Sequence, residues 1–136
     1  MSKKVFVLLN HELSELQLKE LRQQLQIKSV VCADDDVIAL WKQVPSNGEL
    51  PLDTLKSKVI GWFEQRAEEG DYVLVQGEFG ASFYIVDYCF QKGLVPIYGT
   101  SRREYTERKN NNGGVVRQHV YRHVCFRKYH RWGQKK

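Results

Sequence analysis

DYVLVQGEFGASFYIVDYCFQKGLVPIYG, residues 71–99, is the stretch whose reading decides the fold. Its first six residues are a β-branched and aromatic run that halts at Gly77-Glu78-Phe79-Gly80, the pattern of a buried strand meeting a tight turn. From residue 81 to 91, Phe83, Ile85, Val86, Cys89 and Phe90 predict a well-buried helix, closed by Gly93 as a left-handed cap. Residues 94–98 (LVPIY) give the next strand, which is expected to break at Gly99-Thr100-Ser101-Arg102-Arg103. Strand, helix and strand in this order define a parallel unit.

The same alternation extends towards the N-terminus. Residues 4–10 (KVFVLLN) form a continuous apolar run that fits a strand covered on both faces. Ser14 stands as an N-cap with Glu15 and Gln17 in the first turn, and Leu13, Leu16, Leu18, Leu21 and Leu25 continue a helix to Gln26. Residues 29–33 (SVVCA) give a second strand, and a helix over 37–44 is stopped by Pro45. After a turn at residues 45–50, Pro51 opens a helix carrying Leu55, Val59, Trp62, Phe63 and Arg66 on one face, ending by Gly70. Four strands alternating with helices predict a small doubly wound α/β domain with a mostly parallel sheet and right-handed crossovers. Residues 115–129, beyond an Asn110-Asn111-Asn112-Gly113-Gly114 turn, predict a β-hairpin or two added antiparallel strands, and residues 131–136 a frayed tail. The expected organisation is one domain over 1–136, with an α/β core at 1–100 and a basic hairpin extension at 101–130.

The composition, 42% hydrophobic and 27% charged over 136 residues, is that of a folded globular chain and excludes intrinsic disorder. No apolar run reaches the length of a membrane helix, and MSKK at the N-terminus leads to no small-residue cleavage site, so the reading is a soluble, cytoplasmic protein. Cys32, Cys89 and Cys125 form no CxxC pair and read as three buried thiols rather than a disulfide framework or a four-thiolate zinc site. The net charge of +5 is unevenly placed: residues 1–100 carry 10 Lys/Arg against 14 Asp/Glu, a balance of −4, whereas residues 101–136 carry 11 against 2, a balance of +9. Such a segment attracts phosphates or solubilises the C-terminus.

In open α/β sheets the ligand lies beyond the carboxyl ends of the strands. That rule collects Asn10, His11, Glu12 and Ser14 after the first strand, Gln76, Gly77, Glu78, Gly80, Ala81 and Ser82 after the third, and Thr100, Ser101, Arg102 and Arg103 after the fourth. The set offers phosphate-binding arginines, helix N-terminal amides and a histidine that titrates near neutrality. The Gly77–Gly80 turn is neither a P-loop nor a GxGxxG fingerprint, and it serves equally to let a helix pack closely on the sheet. Arg102 and Arg103 have Glu104 and Glu107 as alternative partners. His119 and His123 share one face of a strand, but neighbouring arginines oppose a cation, so no metal is expected. Alternating with Tyr121, Phe126 and Tyr129, they suit phosphates and stacked bases.

Read together, LLNHELS (8–14), DYVLVQGEFGA (71–81), PIYGTSRR (96–103) and HVCFRKY (123–129) resemble the small stand-alone CRISPR-associated proteins of type III systems grouped with the CARF-type ring nucleases. The turn in that family commonly reads Gln-Gly-Asp, so Glu78 is a conservative departure. The resemblance implies a Rossmann-like homodimer that binds a cyclic oligoadenylate, above all cyclic tetra-adenylate, and cleaves it without cofactor or metal, ending a second-messenger signal. It implies His11 as general base or acid and Arg102, with Arg103, stabilising the phosphorane. Gln76 and Glu78 would orient ribose or adenine, the amides around Gly80, Ala81 and Ser82 would hold a phosphate, and Gly77, Asn10, Ser14, Thr100, Ser101, His123 and Arg127 would complete the ligand site. Two other expectations remain open: a sponge or sensor that holds the ring uncut, and a general RNA- or DNA-binding protein acting through the basic C-terminus. A flavodoxin-like redox protein is disfavoured by the missing phosphate loop after the first strand.

Overall fold

A computed structural model describes residues 3–133; Met1, Ser2 and the last three residues of the expected tail, 134–136, lie outside the described residues. The chain forms a five-stranded sheet in the order β2-β1-β3-β4-β5. Strands β1 (Lys3–Leu8), β2 (Ile27–Cys32), β3 (Tyr72–Val75) and the start of β4 (Val95–Lys109) run parallel, and β5 (Val115–Lys128) returns antiparallel to β4. Helix α1 (Glu15–Gln24) packs on one face over Val5, Leu74 and Ile97, while α2 (Asp35–Lys42) and α5 (Phe79–Lys92) pack on the other over Phe6, Leu8 and Val73. The predicted α/β architecture with an antiparallel C-terminal hairpin is therefore observed. Among the described residues, no helix is long and apolar enough to cross a membrane.

Local chemistry explains the element ends. Ser14 accepts from the Gln17 N–H while the Gln17 side chain accepts from the Ser14 N–H, a complete capping box. Gly93 ends α5 at φ 73°, and a side chain there would also strike Glu69. The helix expected from Pro51 is divided into α3 (Leu52–Thr54), a π-helical segment (Leu55–Ile60) and α4 (Gly61–Arg66), with the Gly61 amide reaching back to the Lys56 carbonyl. Asp71, buried ahead of β3, accepts from the backbone N–H groups of Glu68 and Lys4 and pairs with the Lys4 ammonium.

Four expectations need correction. Strand β4 does not break at residues 99–103 but continues to Lys109, because β5 supplies ladder partners from Ile97 to Lys109, with one bulge opposite Thr100, whatever its side chains. Phe83 is not in the helix interior: the α5 face packed on the sheet is Ala81, Ile85, Val86 and Cys89, and Phe83 lies off it. Of the three thiols only Cys89 is buried, and Cys32 is exposed. Arg131, assigned to the frayed tail, stacks its guanidinium 5.7 Å from the centre of the Phe90 ring.

Candidate functional site

Strand β1 leaves the sheet through α1 on one face and β3 leaves through α5 on the other, so the connections diverge at the adjacent carboxyl ends of β1 and β3. That divergence leaves a crevice. It is a polar cleft of about 360 Å³ lined by His11, Glu12, Ser14, Gln17, Gln76, Gly99, Thr100, Ser101, Tyr121 and His123. Six residues expected from the strand ends meet there, His11, Glu12, Ser14, Gln76, Thr100 and Ser101, and His123 joins them from β5. Asn10 is exposed beside them without lining the cleft.

Most of these side chains are held by the fold. The Gln76 amide extends the β3–β4 ladder as a side-chain clasp, its Oε1 accepting from the Gly99 N–H at 2.9 Å and its Nε2 donating to the Gly99 carbonyl at 3.3 Å. Thr100 Oγ1 donates to the Cys125 carbonyl and accepts from the Cys125 N–H, both at 3.2 Å. His123 Nε2 meets Glu20 Oε2 at 2.9 Å in a largely buried pair that fastens β5 to α1. His11 differs. Its Nδ1 lies 2.9 Å from the Glu12 carbonyl, and because a carbonyl only accepts, Nδ1 carries the proton and donates. Its Nε2 has no hydrogen-bond partner among the described residues.

The turn after β3 is built for packing rather than for phosphate. A side chain at Gly77 would lie 2.6 Å from Trp41 Nε1, and that indole donates to the Gln76 carbonyl at 3.0 Å. Glu78 caps α5 by accepting from the Ala81 N–H at 2.7 Å, and the Ser82 amide donates to the Glu78 carbonyl. The amides expected to hold an anion near Gly80, Ala81 and Ser82 thus already face a carboxylate and a carbonyl, and the carboxylate repels a second negative charge.

The extended hairpin separates the arginines. Side chains alternate along β4, so Arg103 shares the face of Ser101, opposite Tyr121, whereas Arg102 shares the other face with Glu104 and Arg122. Arg122 donates to Glu104 at 2.6 Å, with Arg102 at 3.7 Å from the same carboxylate. Arg103 Nε donates to His119 Nδ1 at 3.1 Å. Ser101 pairs with His123 and Gly99 with Phe126, which leaves Val124 and Cys125 together opposite Thr100, a β-bulge. The extra residue puts Arg127 opposite Tyr98 and away from the His123 side. Within one chain, then, His11 and Arg102 are not brought together, and Arg103 is the arginine on the cleft side of the hairpin.

Sequence reasoning missed Gln17 as a cleft residue and Trp41 beneath the turn, Gln17 being signalled by its capping-box spacing from Ser14, whereas Tyr121, read as suited to a stacked base, does line the cleft. Among the described residues, no cluster of His, Cys, Asp and Glu is placed to hold a metal ion. Burial raises the Tyr129 phenol above its ordinary range, with nearby Tyr98 adding to the effect, and its hydroxyl donates to the Val75 carbonyl at 2.6 Å.

An α/β domain with a polar cleft at the divergence of its connections and a basic antiparallel arm is the class that this geometry defines. The chain belongs to the family described as "Uncharacterized protein MJ1673", which it matches over residues 3–127, a span that takes in the core and nearly all of the arm. It is 29% identical over 126 residues to "Uncharacterized protein MJ1673" of Methanocaldococcus jannaschii, covering 93% of this chain and 96% of that one. No solved structure matches the chain.

Proposed function

We propose that this protein is a ring nuclease of the CARF-like, Rossmann-type class that acts as a homodimer on a cyclic oligoadenylate, foremost cyclic tetra-adenylate, and so ends type III CRISPR signalling. The observation that carries the reading is His11 at the mouth of the strand-end cleft, with its tautomer set by the Glu12 carbonyl and a free Nε2. That nitrogen takes the proton from a ribose 2′-hydroxyl. The 2′-oxygen then attacks the adjoining 3′-phosphorus, the bond from phosphorus to the 5′-oxygen breaks, and the leaving oxygen takes up a proton. The products are a 2′,3′-cyclic phosphate and a 5′-hydroxyl.

Positioning and charge stabilisation supply the remaining rate. The exposed Ser101 hydroxyl lines the cleft, the Ser14 hydroxyl retains its proton for donation, and Arg103 stands on the same side of the hairpin. A two-fold ring suits two copies of one such site.

The experiment is incubation with labelled cyclic tri-, tetra- and hexa-adenylate, with and without a chelator, followed by separation of products. Cleavage to fragments ending in a 2′,3′-cyclic phosphate, unaffected by chelator, is expected, with His11→Ala slowing it by about 10²- to 10⁴-fold, the usual contribution of a positioned acid or base. Binding without cleavage makes the protein a sponge, and failure to bind any ring overturns the reading.

A further inference from the structure

A second hollow of about 390 Å³ opens on the α5 face of the sheet, directly across the end of β3 from the polar cleft, and the two share Gln76 as a wall. Its size is that of a small-molecule site, roughly 300 Å³ and upward. Its character is opposite to that of the polar cleft. Phe79 and Phe83 stand one turn apart at the start of α5 and are 91% and 74% exposed, while Val86 and the Tyr129 ring form the rest of the wall. The Tyr129 hydroxyl is already committed to the Val75 carbonyl, so it offers the hollow a ring and no donor. Ser82 Oγ lies beneath this surface, buried and without a hydrogen-bond partner among the described residues. Among the described residues, no charged side chain lines the hollow, and Glu78, between the lining residues Gly77 and Phe79, opposes a phosphate.

We infer that this slot receives the aromatic base of a nucleotide whose sugar and phosphate lie in the polar cleft, a base that stacks on Phe79 or Phe83. The inference rests on the cyclic oligoadenylate reading, in which the base is adenine. Flat apolar rings at a solvent-facing slot suit a base face, whereas the polar cleft around the end of β3 suits ribose hydroxyls and phosphate. Phe79 and Phe83 are thus specificity residues for the nucleobase, and Gln76 is the ridge that the nucleotide straddles.

The test compares equilibrium binding of labelled cyclic tetra-adenylate and its single-turnover cleavage for the wild type, Phe79→Ala, Phe83→Ala and Phe79→Trp. Both alanine variants keep the fold, read by circular dichroism, because neither ring packs in the core. At least one of them is expected to bind about 5- to 100-fold more weakly, the loss of one base stack, with the rate at saturation kept within a few-fold, and Phe79→Trp to bind as the wild type does. If the wild type binds and cuts the ring and both alanine variants bind it equally well, the slot assignment is overturned while the cleft reading stands. If light scattering shows that the alanine variants split a dimer without changing affinity per chain, the rings belong to a contact between copies and the assignment is again overturned. If the wild type binds no ring, the cleft reading fails, and the same variants are compared with adenosine monophosphate: weaker binding by either supports the slot, and equal or absent binding overturns it.

Discussion

The core up to Gly99 and the hairpin arm beyond it are built from the same sheet and obey opposite rules. In the core, β3 is buried along its whole length, and helices cover both faces. In the arm, β4 and β5 continue as a ribbon with water on both sides, leaving Tyr105, Val115, Val120, Tyr121 and Val124 exposed. The charge divides at the same place, with −4 over residues 1–100 and +9 over 101–136. A two-stranded ribbon without a packed face is marginal by itself. What holds the arm is its base, where Gln24 donates to the Phe126 carbonyl, Thr100 bridges to Cys125, and Glu20 pairs with His123. The difference teaches that stability resides in the core, and that the arm draws little of its own from burial.

The largest expected effect breaks the core where it meets the site. Trp41 is almost fully buried and donates to the Gln76 carbonyl, the hinge between cleft and slot. Trp41→Ala should cost about 3–5 kcal/mol, the range for deleting a buried aromatic, measured by denaturant unfolding. A loss under about 1 kcal/mol would contradict the placement of stability in the core. Asp71→Ala comes next. It strands the part-buried Glu68 and Lys4 amide groups, and a loss of about 1 kcal/mol, the lower end of the range for donors left unpaired, is expected.

The third prediction concerns alkaline pH. Burial pushes the Cys89 thiol from 9.0 up to about 12. The folded state therefore holds this proton more tightly than the unfolded chain does. The associated stability is fully present below pH 9 and declines as pH rises towards 12, by at most about 1.4 kcal/mol per unit. Cys89→Ala should flatten that decline. In the native protein at neutral pH, a thiol reagent should label exposed Cys32 and spare Cys89.

The same contrast explains what was legible in the sequence. The βαβ unit at residues 71–99 was readable because burial on both faces imposes runs of Val, Leu and Ile, and because Gly93 carries capping chemistry that acts locally. The convergence of His11, Glu12, Ser14, Gln76, Thr100 and Ser101 followed from the strand-end rule alone, whereas His123 came from the resemblance. The continuation of β4 through Arg102 and Arg103 left no such trace. A ribbon wet on both sides needs no apolar alternation, so its strand resembles a polar loop. The faces of Arg102 and Arg127 depended on that register and on the bulge opposite Thr100, which is set by pairing rather than by composition. Phe83 was misplaced because it sits next to the apolar stripe of α5 and contributes a ring to a slot instead of to the core.

The smallest expected effect lies in the arm and bears most directly on its purpose. Arg122 donates to Glu104 at 2.6 Å with its side chain 64% exposed, and Arg102 joins the same carboxylate. Two cations on one surface carboxylate compete for it, and exposed pairs of this kind contribute about 0.2–1 kcal/mol, since water and salt screen them. Arg122→Ala should therefore leave the unfolding midpoint nearly unchanged. Arg122 lies on the face away from the cleft, so if the arm's charge serves binding the variant should lose affinity for labelled cyclic tetra-adenylate only a few-fold, and less at high salt, through the weaker long-range attraction of the arm for phosphate. A large drop in stability without loss of affinity would make the arm a structural element after all. An unchanged protein in both respects would move the arm's role from the +9 charge to the aromatic face around Tyr105 and Tyr121, which Tyr121→Ala, at the edge of the cleft, then tests by the same pair of measurements.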